Sequence, residues 1–325
     1  MASGADPARN GTGVRAQASM LVIRAGRRLV HGTPVQRWRF TDYLYRRIFR
    51  MGWAGESTRT VFRGLDLVVP NKDVTIVPGI LGGFYEAREL DLWERLTPVS
   101  GLVVDVGGNL GVYACLAAKA QGTRVVVFEP APENVDLLRK NLALNGVLDR
   151  VELVEAAVGD VQGELVIHLA KENIGTHSAS RANAGAGADA SSSVRVPVWT
   201  LDEHPATAPT RPSLETACLL KVDVEGYDGH VLRGARAFIE KVKPTLLIEY
   251  VPQHLRGCQF SPEEFLDIVF AAYTTVYAVT GTGGAVMQVE REAVSVDASA
   301  NLVAVHDDVH RRIVEAWARA SARNA

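Results

Sequence analysis

The segment VVDVGGNLGVYA, residues 103–114, constrains the fold more than any other part of the chain. It runs from an apolar stretch that contains Asp105 into a turn with Gly107, Gly108 and Gly111, and then into an alanine-rich stretch. Glycine adopts backbone conformations that other residues disfavour, and it lets other groups approach the main chain closely. The pattern therefore predicts a strand, a tight turn and a helix, in which the turn holds a ligand by its backbone.

Strand and helix patterns alternate through the centre of the chain, which is typical of an α/β fold with a mostly parallel sheet. Most strand-like runs are continuously apolar, as expected where helices cover both faces of the sheet. The last two runs are joined by a turn-rich segment and predict an antiparallel hairpin at the sheet edge. The seven predicted core strands are residues 102–106, 124–129, 151–156, 218–223, 245–249, 275–279 and 301–306. The clearest helix patterns are residues 85–96, 130–146 and 261–273, the last with Ser261 as N-cap and Glu264 completing a capping box.

The same patterns divide the chain into four parts. We predict a disordered leader at residues 1–18, a basic helical and hairpin extension at 19–84, a central domain at 85–310 and a helical tail at 311–325. Within the extension, strand-like runs at residues 60–69 and 73–77 predict a hairpin.

A low-complexity stretch interrupts the central domain at residues 181–193. Two further strand-like runs, residues 163–170 and 194–202, flank it and are inserted between the third and fourth core strands. The stretch is interpreted either as a lid over a substrate site or as a tolerated surface insertion.

Charge and composition limit the function. The formal net charge of −2 argues against a general binder of nucleic acid. No apolar run is long enough for a transmembrane helix, no secretory signal is evident, and we predict a cytoplasmic protein.

Arginines and aromatic residues interleave at residues 37–53, which indicates either a surface helix that meets an anionic membrane or an amphipathic helix packed on the core. The three cysteines and eight histidines show no metal-ligand spacing, so we predict no metal.

Two acidic residues distinguish among nucleotide ligands. The dinucleotide fingerprint Gly-x-Gly-x-x-Gly is incomplete here, since Val106 stands where its first glycine belongs. Asp105 is badly placed for a pyrophosphate but suits a cationic amine, such as that at the methionine end of S-adenosylmethionine. Glu129 ends the second predicted strand, where a carboxylate can accept hydrogen bonds from ribose hydroxyls, a feature shared by NAD and S-adenosylmethionine sites.

A third charged group lies in LLKVDVEGYDGHVL. Lys221, Asp223 and Glu225 alternate at the end of an apolar strand, and Glu249 ends the next core strand. Burying such charges is costly unless they pair or take part in chemistry. The sequence leaves open a structural ion pair of Lys221 with a carboxylate as well as a catalytic role.

These motifs together resemble the FkbM family of class I S-adenosylmethionine-dependent methyltransferases, over about residues 85–250. The resemblance is carried by DVGGNLG, FEPAPEN, NIGTHS, VWTLDE, LKVDVEGYDGHVLRGA and LLIEY, in that order. Asn109, Glu129 and the Lys-x-Asp-x-Glu-Gly run at 221–226 match the family's motifs, while Gly108 stands where the family usually has alanine. The resemblance implies a Rossmann-like class I methyltransferase fold and O-methylation of a sugar, glycan or natural product.

We therefore predict S-adenosylmethionine as cofactor and a small-molecule or glycosidic acceptor, methylated in line with help from a general base. An NAD-linked oxidoreductase and a non-catalytic nucleoside-binding module are the alternatives. Asn109 is expected to tolerate a left-handed backbone conformation and to offer its amide to the cofactor. The predicted cofactor contacts are Asp105, Gly107, Gly108, Asn109, Gly111, Glu129, Pro130, Ala157 and Asp223. The predicted catalytic residues are Asp223, Glu225, His230, His177 and Glu249.

Overall fold

The structure is a computed structural model that describes residues 56–73, 76–170, 173–184, 192–207, 217–280 and 285–323. The predicted leader, the interleaved basic and aromatic segment and most of the 181–193 insertion lie outside these residues. The described residues form two compact units, one from residues 56–87 with 173–175 and the other from residues 88–170 with 176–323.

The first unit contains a β-hairpin of β1 (Ser57–Phe62) and β2 (Leu65–Pro70), paired from Ser57 opposite Pro70 to Phe62 opposite Leu65. Its two-residue turn is Arg63–Gly64, with φ of 47° and 72°. Positive φ at both turn residues matches the right-handed twist of the flanking strands. Both strands therefore come from residues 57–70, and the predicted pairing of residues 60–69 with 73–77 is wrong.

The segment predicted as the second hairpin strand instead leads into α1 (Ile76–Gly82). Oδ1 of the buried Asp73 accepts hydrogen bonds from the N–H groups of Ile76 at 2.7 Å and Val77 at 3.1 Å. This is the N-cap arrangement, which satisfies amides that have no partner inside the helix. Oδ2 of Asp73 also accepts the N–H of Ile174 at 2.8 Å, so one carboxylate binds both the start of α1 and the backbone at Ile174.

The second unit alternates strands and helices. Its strands are β3 (Leu102–Val106), β4 (Arg124–Phe128), β5 (Val151–Val154), β6 (Ala157–Val158), β7 (Gly163–His168), β8 (Ser193–Trp199), β9 (Cys218–Val222), β10 (Thr245–Tyr250), β11 (Val276–Thr280), β12 (Ala285–Gln288) and β13 (Ala300–Ala304). Its helices are α2 (Ala87–Leu96, which begins at the unit boundary), α3 (Val112–Lys119), α4 (Pro132–Leu144), α5 (Asp228–Arg233), α6 (Arg236–Val242), α7 (Pro252–Gly257), α8 (Pro262–Ala272) and α9 (Asp308–Arg323).

Eight of these strands form the main sheet, in the order β12-β11-β13-β10-β9-β3-β4-β5. The run from β5 to β10 is parallel, whereas β13 is antiparallel to both β10 and β11. The seven predicted core strands are confirmed, and the fold is the predicted Rossmann-like class I type. The structure adds β12 at the edge, a four-residue strand that the sequence pattern did not separate from the preceding turn.

The strand order reverses between β3 and β9, since the chain places β4 and β5 on one side of β3 and the later strands on the other. In open α/β sheets, ligands bind in the crevice outside the carboxyl ends of the strands at such a point. Every residue of β3 and of β9 is buried, as predicted from their continuous apolar runs. The topology therefore places a ligand site at the ends of β3 and β9.

A separate three-stranded sheet has the order β6-β8-β7. The antiparallel pairing of β7 with β8 runs from Gly163 opposite Val198 to His168 opposite Ser193, which confirms the two inserted strands. Within the described residues, no helix combines the length and the apolar character needed to cross a membrane.

Ser261 caps α8 as predicted, since its Oγ accepts the N–H of Glu264 at 3.2 Å. The predicted capping box is wrong in its second half. The carboxylate of Glu264 pairs with both Nε and Nη2 of Arg233, at 2.8 and 2.7 Å. A bidentate ion pair of this kind competes well with a single bond to a backbone amide.

Candidate active site

The glycine-rich turn lies between β3 and α3, at the carboxyl end of β3. Gly107 and Gly111 have φ of 89° and 91°, and Asn109 between them has φ of 50°. The left-handed conformation expected of Asn109 is therefore confirmed, and its short polar side chain is one of the few that tolerate it.

Close packing also requires the glycines of this turn. A Cβ at Gly107 would lie 2.0 Å from the carbonyl oxygen of Asp223, which leaves no space for any side chain. A Cβ at Gly108 would lie 2.3 Å from Cγ1 of Val127 and 2.8 Å from Cδ1 of Leu138. In this chain, those two side chains fill the space that an alanine methyl group would take at Gly108.

Asp105, at the end of β3, has a buried carboxylate without hydrogen bonds to the described residues. Its side chain is 1% exposed, and neither carboxylate oxygen has a hydrogen-bond partner. Burial raises its pKa to about 6, while the charge of Lys221 lowers it and that of Asp223 raises it again. Buried polar atoms are almost always hydrogen-bonded, so an unsatisfied pair in a crevice indicates a missing ligand donor.

Asn109 presents a second buried acceptor without a hydrogen-bond partner, its Oδ1. Its backbone N–H donates to Oε2 of Glu129 at 2.7 Å. Acceptors at Asp105 and Asn109 therefore belong to the same turn, and both suit a cationic amine with several N–H donors.

Glu129 follows β4, and its carboxylate binds both the glycine turn and the loop after β4. Besides the bond from Asn109, its Oε1 accepts the N–H of Ala131 at 2.9 Å and Nδ2 of Asn134 at 3.4 Å. Burial raises its pKa to about 7, and these hydrogen bonds lower it. An ionised carboxylate has about four acceptor positions, so Glu129 retains capacity for a ribose hydroxyl.

The other two predicted cofactor contacts lie nearby in the chain. Pro130 is half-buried directly after Glu129, and Ala157 is buried on β6 opposite Val198. Ala157 packs in the small apolar cluster that contains Ala131, so its methyl group supports the loop after β4. The cofactor contacts of both residues remain predictions.

Lys221 and Asp223 form the ion pair that the sequence left open. Nζ of Lys221 lies 2.9 Å from Oδ2 of Asp223, 4.0 Å from Oδ1 of Asp105 and 4.7 Å from the ring centre of Tyr113. Lys221 is 7% exposed, whereas the side chain of Asp223 is 30% exposed. The buried cation thus holds two acids at the strand ends, and Asp223 presents its outer face to solvent.

Glu225, Glu249 and His254 form a second group, which we call the acid–imidazole cluster. Their potential donor atoms all lie within 4.8 Å of one another. Oε2 of Glu225 lies 3.4 Å from Nδ1 of His254. Burial lowers the pKa of His254, and the charge of Asp223 raises it. The cluster brings together the loop after β9, the strand β10 and the helix α7 at the carboxyl ends of β9 and β10.

The backbone around Glu225 is held from several sides. Its φ is 53°, a conformation that costs free energy for a residue with a side chain. Nδ2 of Asn183 donates to the carbonyl oxygens of both Glu225 at 3.1 Å and His254 at 2.8 Å. The buried carboxylate of Asp228 accepts the N–H groups of Val224 and Gly226. Two members of the cluster are thereby fixed relative to each other.

His254 and the supporting Asp228 were missed by the sequence analysis. His254 follows Glu249 by five residues, one helical turn beyond the end of β10. No short motif marks that position, and only the end of a strand followed by Pro252 at the start of a helix indicates that it faces the same edge.

The two predicted catalytic histidines have other contacts. Nδ1 of His230 lies 3.0 Å from Oδ2 of Asp160, and its Nε2 lies 3.0 Å from the carbonyl oxygen of Cys258. Both ring nitrogens are therefore engaged, and the ring stacks on Tyr227. Nδ1 of His177 accepts the N–H of Ala170 at 3.0 Å. The structure thus groups Glu225 with Glu249, not with His230.

Comparison with known proteins decides the family. The domain described as "Methyltransferase FkbM domain" matches residues 105–274, just over half of the chain, which include the end of β3, the glycine turn and the acid–imidazole cluster. The chain belongs to the FkbM methyltransferase family. This FkbM protein therefore has the predicted enzyme class, that of a methyltransferase.

Curated relatives of this FkbM protein carry methyltransferase names. It is 27% identical over 181 residues to "Methyltransferase sdnD" of Sordaria araneosa, which covers 49% of this chain and 70% of that protein. It is 26% identical over 151 residues to "Methyltransferase 1" of Beauveria bassiana, which covers 42% of this chain and 59% of that one.

Solved structures of low sequence identity are also similar. The FkbM methyltransferase of Methylobacillus flagellatus KT has a TM-score of 0.38 at 15% identity, which covers 72% of this chain and 55% of that chain. The O-methyltransferase TomG of Streptomyces achromogenes, solved with S-adenosylmethionine, has a TM-score of 0.37 at 14% identity, which covers 68% of this chain and 81% of that chain.

Proposed function

We propose that this FkbM protein transfers a methyl group from S-adenosylmethionine to a hydroxyl oxygen of a sugar, glycan or natural product. The observation that carries the proposal is the unsatisfied carboxylate of Asp105, buried at the end of β3 beside a glycine turn. Lys221 lies 4.0 Å away and makes no hydrogen bond to this carboxylate, and a buried carboxylate without hydrogen bonds is costly, so a bound cationic group that donates hydrogen bonds explains its presence.

The described residues fit this cofactor. Asp105 and Oδ1 of Asn109 would accept hydrogen bonds from the amine of its methionine end. Glu129 would accept a ribose hydroxyl, while the bonds from Asn109 and Ala131 keep its carboxylate in place. Gly107 and Gly108 let this turn pack closely, because Asp223 takes the space of a Cβ at Gly107 and Val127 and Leu138 take that of a Cβ at Gly108.

The bound cofactor supplies a methyl group already activated by a sulfonium. The chain then has to orient an acceptor oxygen and remove its proton, because a neutral hydroxyl is a weak nucleophile. Asp223 has one buried oxygen on Lys221 and a partly exposed face, which suits a residue that positions both ligands. The acid–imidazole cluster lies at the next strand end, and its groups would receive the hydroxyl proton.

Five residues were predicted to be catalytic, and the geometry ranks them. Asp223, Glu225 and Glu249 share the edge of the sheet with His254, so we assign the acceptor side of the site to them. His230 uses both ring nitrogens in contacts with Asp160 and Cys258, so we assign it a structural role.

The test is methyl transfer from isotopically labelled S-adenosylmethionine to panels of hydroxyl-bearing and amine-bearing acceptors, read by mass spectrometry and by the chemical shift of the new methyl group. We expect O-methyl products, strongly reduced turnover in Glu225→Gln and Glu249→Gln, and near-normal turnover in Glu240→Gln, which changes an exposed glutamate elsewhere. Labelled methyl found only on nitrogen, or full turnover in all three variants, would refute the proposed site.

A further inference from the structure

We infer that Glu225, Glu249 and His254 form a binding site for a divalent transition-metal cation beside the cofactor turn. The inference rests on the proposed function only for what the cation would do there, because its binding is a property of the apoprotein. The spacing of these residues along the chain gave no sign of it, since they are separated by 24 and 5 positions.

The distances fit coordination. A carboxylate oxygen and an imidazole nitrogen bound to one cation at about 2.1 Å lie about 3.0 Å apart at an octahedral angle and about 3.4 Å apart at a tetrahedral angle. Oε2 of Glu225 and Nδ1 of His254 are separated by 3.4 Å. Each of the three residues offers one donor atom, and these atoms all lie within 4.8 Å of one another.

The contact between Glu225 and His254 is incomplete as it stands. Nδ1 of His254 is inaccessible to solvent and makes no hydrogen bond, although a carboxylate oxygen faces it at 3.4 Å. A cation there would bind both atoms at once and would offset the charge of the two carboxylates.

The donor set selects the kind of cation. Two carboxylates with one imidazole suit first-row metals such as Mn²⁺, since carboxylates favour hard cations and imidazole favours transition metals. Three protein ligands leave positions open for other oxygens, as catalytic metal sites do. The side chains of Glu225 and His254 are 18% and 32% exposed, so these positions are reachable from solvent.

Contacts outside the cluster hold the ligands as supporting residues do in metal sites. The amide of Asn183 binds the carbonyl oxygens of Glu225 and His254. Oγ of Ser178 donates to the carbonyl oxygen of Glu225 at 2.8 Å. A Cβ at Gly226 would lie 2.3 Å from the carbonyl oxygen of His254, so the two segments pack directly against each other.

A cation at this site would bind the acceptor oxygen and lower the pKa of its hydroxyl group. The hydroxyl proton would then pass to water, the methyl carbon would bond to oxygen, and the carbon–sulfur bond would break with both electrons left on sulfur. In the cation-loaded protein, the cluster therefore acts as a ligand set and not as the proton acceptor.

The experiment is a titration of Mn²⁺ into the full chain, without cofactor or acceptor, followed by the loss of the free-ion signal in electron paramagnetic resonance. We expect one saturable site, weakened about tenfold or more by Glu225→Gln and by His254→Asn. Glu240→Gln is the matched control and should bind like the wild type. Circular dichroism and S-adenosylhomocysteine binding check that each variant is folded.

Two results would overturn the inference: no Mn²⁺ binding by the wild type at millimolar concentration, or equal affinity in Glu225→Gln, His254→Asn and the wild type. Failure of the proposed function looks different, because a protein that binds Mn²⁺ through these residues without methylating any hydroxyl keeps the cation site and loses the reaction. A protein that methylates hydroxyls at full rate in the presence of chelators keeps the reaction and loses the role assigned to the cation, while the Mn²⁺ titration alone decides whether the site exists.

Discussion

We expect replacement of Asp105 by asparagine to increase the stability of the protein without its cofactor and to weaken cofactor binding. Asp105 is buried in the folded chain, where its pKa rises from 3.8 to about 6. At neutral pH, the folded chain therefore contains a carboxylate whose ionised form is disfavoured by burial. Asparagine has nearly the same shape without the charge, so Asp105→Asn should stabilise the protein without its cofactor.

The size of the effect follows from the pKa shift. A rise of about two units costs the folded state about 3 kcal/mol once the group is ionised. The amide of asparagine would lack a hydrogen-bond partner in the same place, which reduces this stabilisation by about 1–2 kcal/mol. The net increase in the free energy of unfolding is about 1–2 kcal/mol, or a rise of about 1.5–3 °C in Tm.

The sign of the pH dependence is fixed by the same shift. Between pH 3.8 and about 6, the folded state holds the Asp105 proton more tightly than the unfolded state does. The stability contributed by this group is therefore full below the unfolded pKa and is lost as the pH rises through the folded one. The advantage of Asp105→Asn should be largest above pH 7 and should shrink toward pH 4.

Thermal and urea unfolding of the two proteins between pH 4 and 8 measure this difference. Asp136→Asn, at an exposed position of α4, is the control and should show no such pH dependence. S-adenosylhomocysteine binding should weaken by about tenfold or more in Asp105→Asn because a neutral amide replaces the charged acceptor for its amine. A variant that is less stable at pH 7, or that binds the cofactor product with unchanged affinity, would refute this reasoning.

Three further changes test the turn and the first unit. Gly107→Ala should abolish cofactor binding and destabilise the protein by more than about 3 kcal/mol, since its Cβ would lie 2.0 Å from the carbonyl oxygen of Asp223. Gly122 is the matched control, because its φ is 78° and a Cβ there would have nothing within 4 Å. Gly122→Ala should therefore cost only about 1 kcal/mol in urea unfolding. Asn109→Gly should keep the fold by circular dichroism but weaken S-adenosylhomocysteine binding in calorimetry; unchanged affinity would reduce Asn109 to a turn residue. Asp73→Ala removes the acceptor for three buried amides and should increase hydrogen exchange at the start of α1 by more than about tenfold, and unaltered exchange there would contradict its capping role.

The sequence predicted the parallel core well because burial on both faces leaves an uninterrupted apolar run. The run at residues 102–106 matches β3 at both ends, and the other six predicted strands differ from the structure by one or two residues. The glycine turn was also predictable, since glycine and asparagine are the residues that adopt positive φ at low cost.

The errors have local physical causes. A short apolar run such as residues 73–77 does not distinguish a strand from a helix start, and the N-cap contacts of Asp73 decide it. Glu264 fits a capping box along the sequence, but an arginine 31 residues away binds it more strongly. His254 joins Glu225 only through folding, so no spacing rule would have found it.

The most direct test of the account is a calorimetric titration of the full chain with S-adenosylhomocysteine and, in parallel, with NAD. The account predicts saturable one-to-one binding of S-adenosylhomocysteine, weakened in Asp105→Asn and retained in Asp136→Asn, with no binding of NAD at the same concentrations. Binding of NAD in place of S-adenosylhomocysteine, or binding of S-adenosylhomocysteine that ignores Asp105, would contradict it.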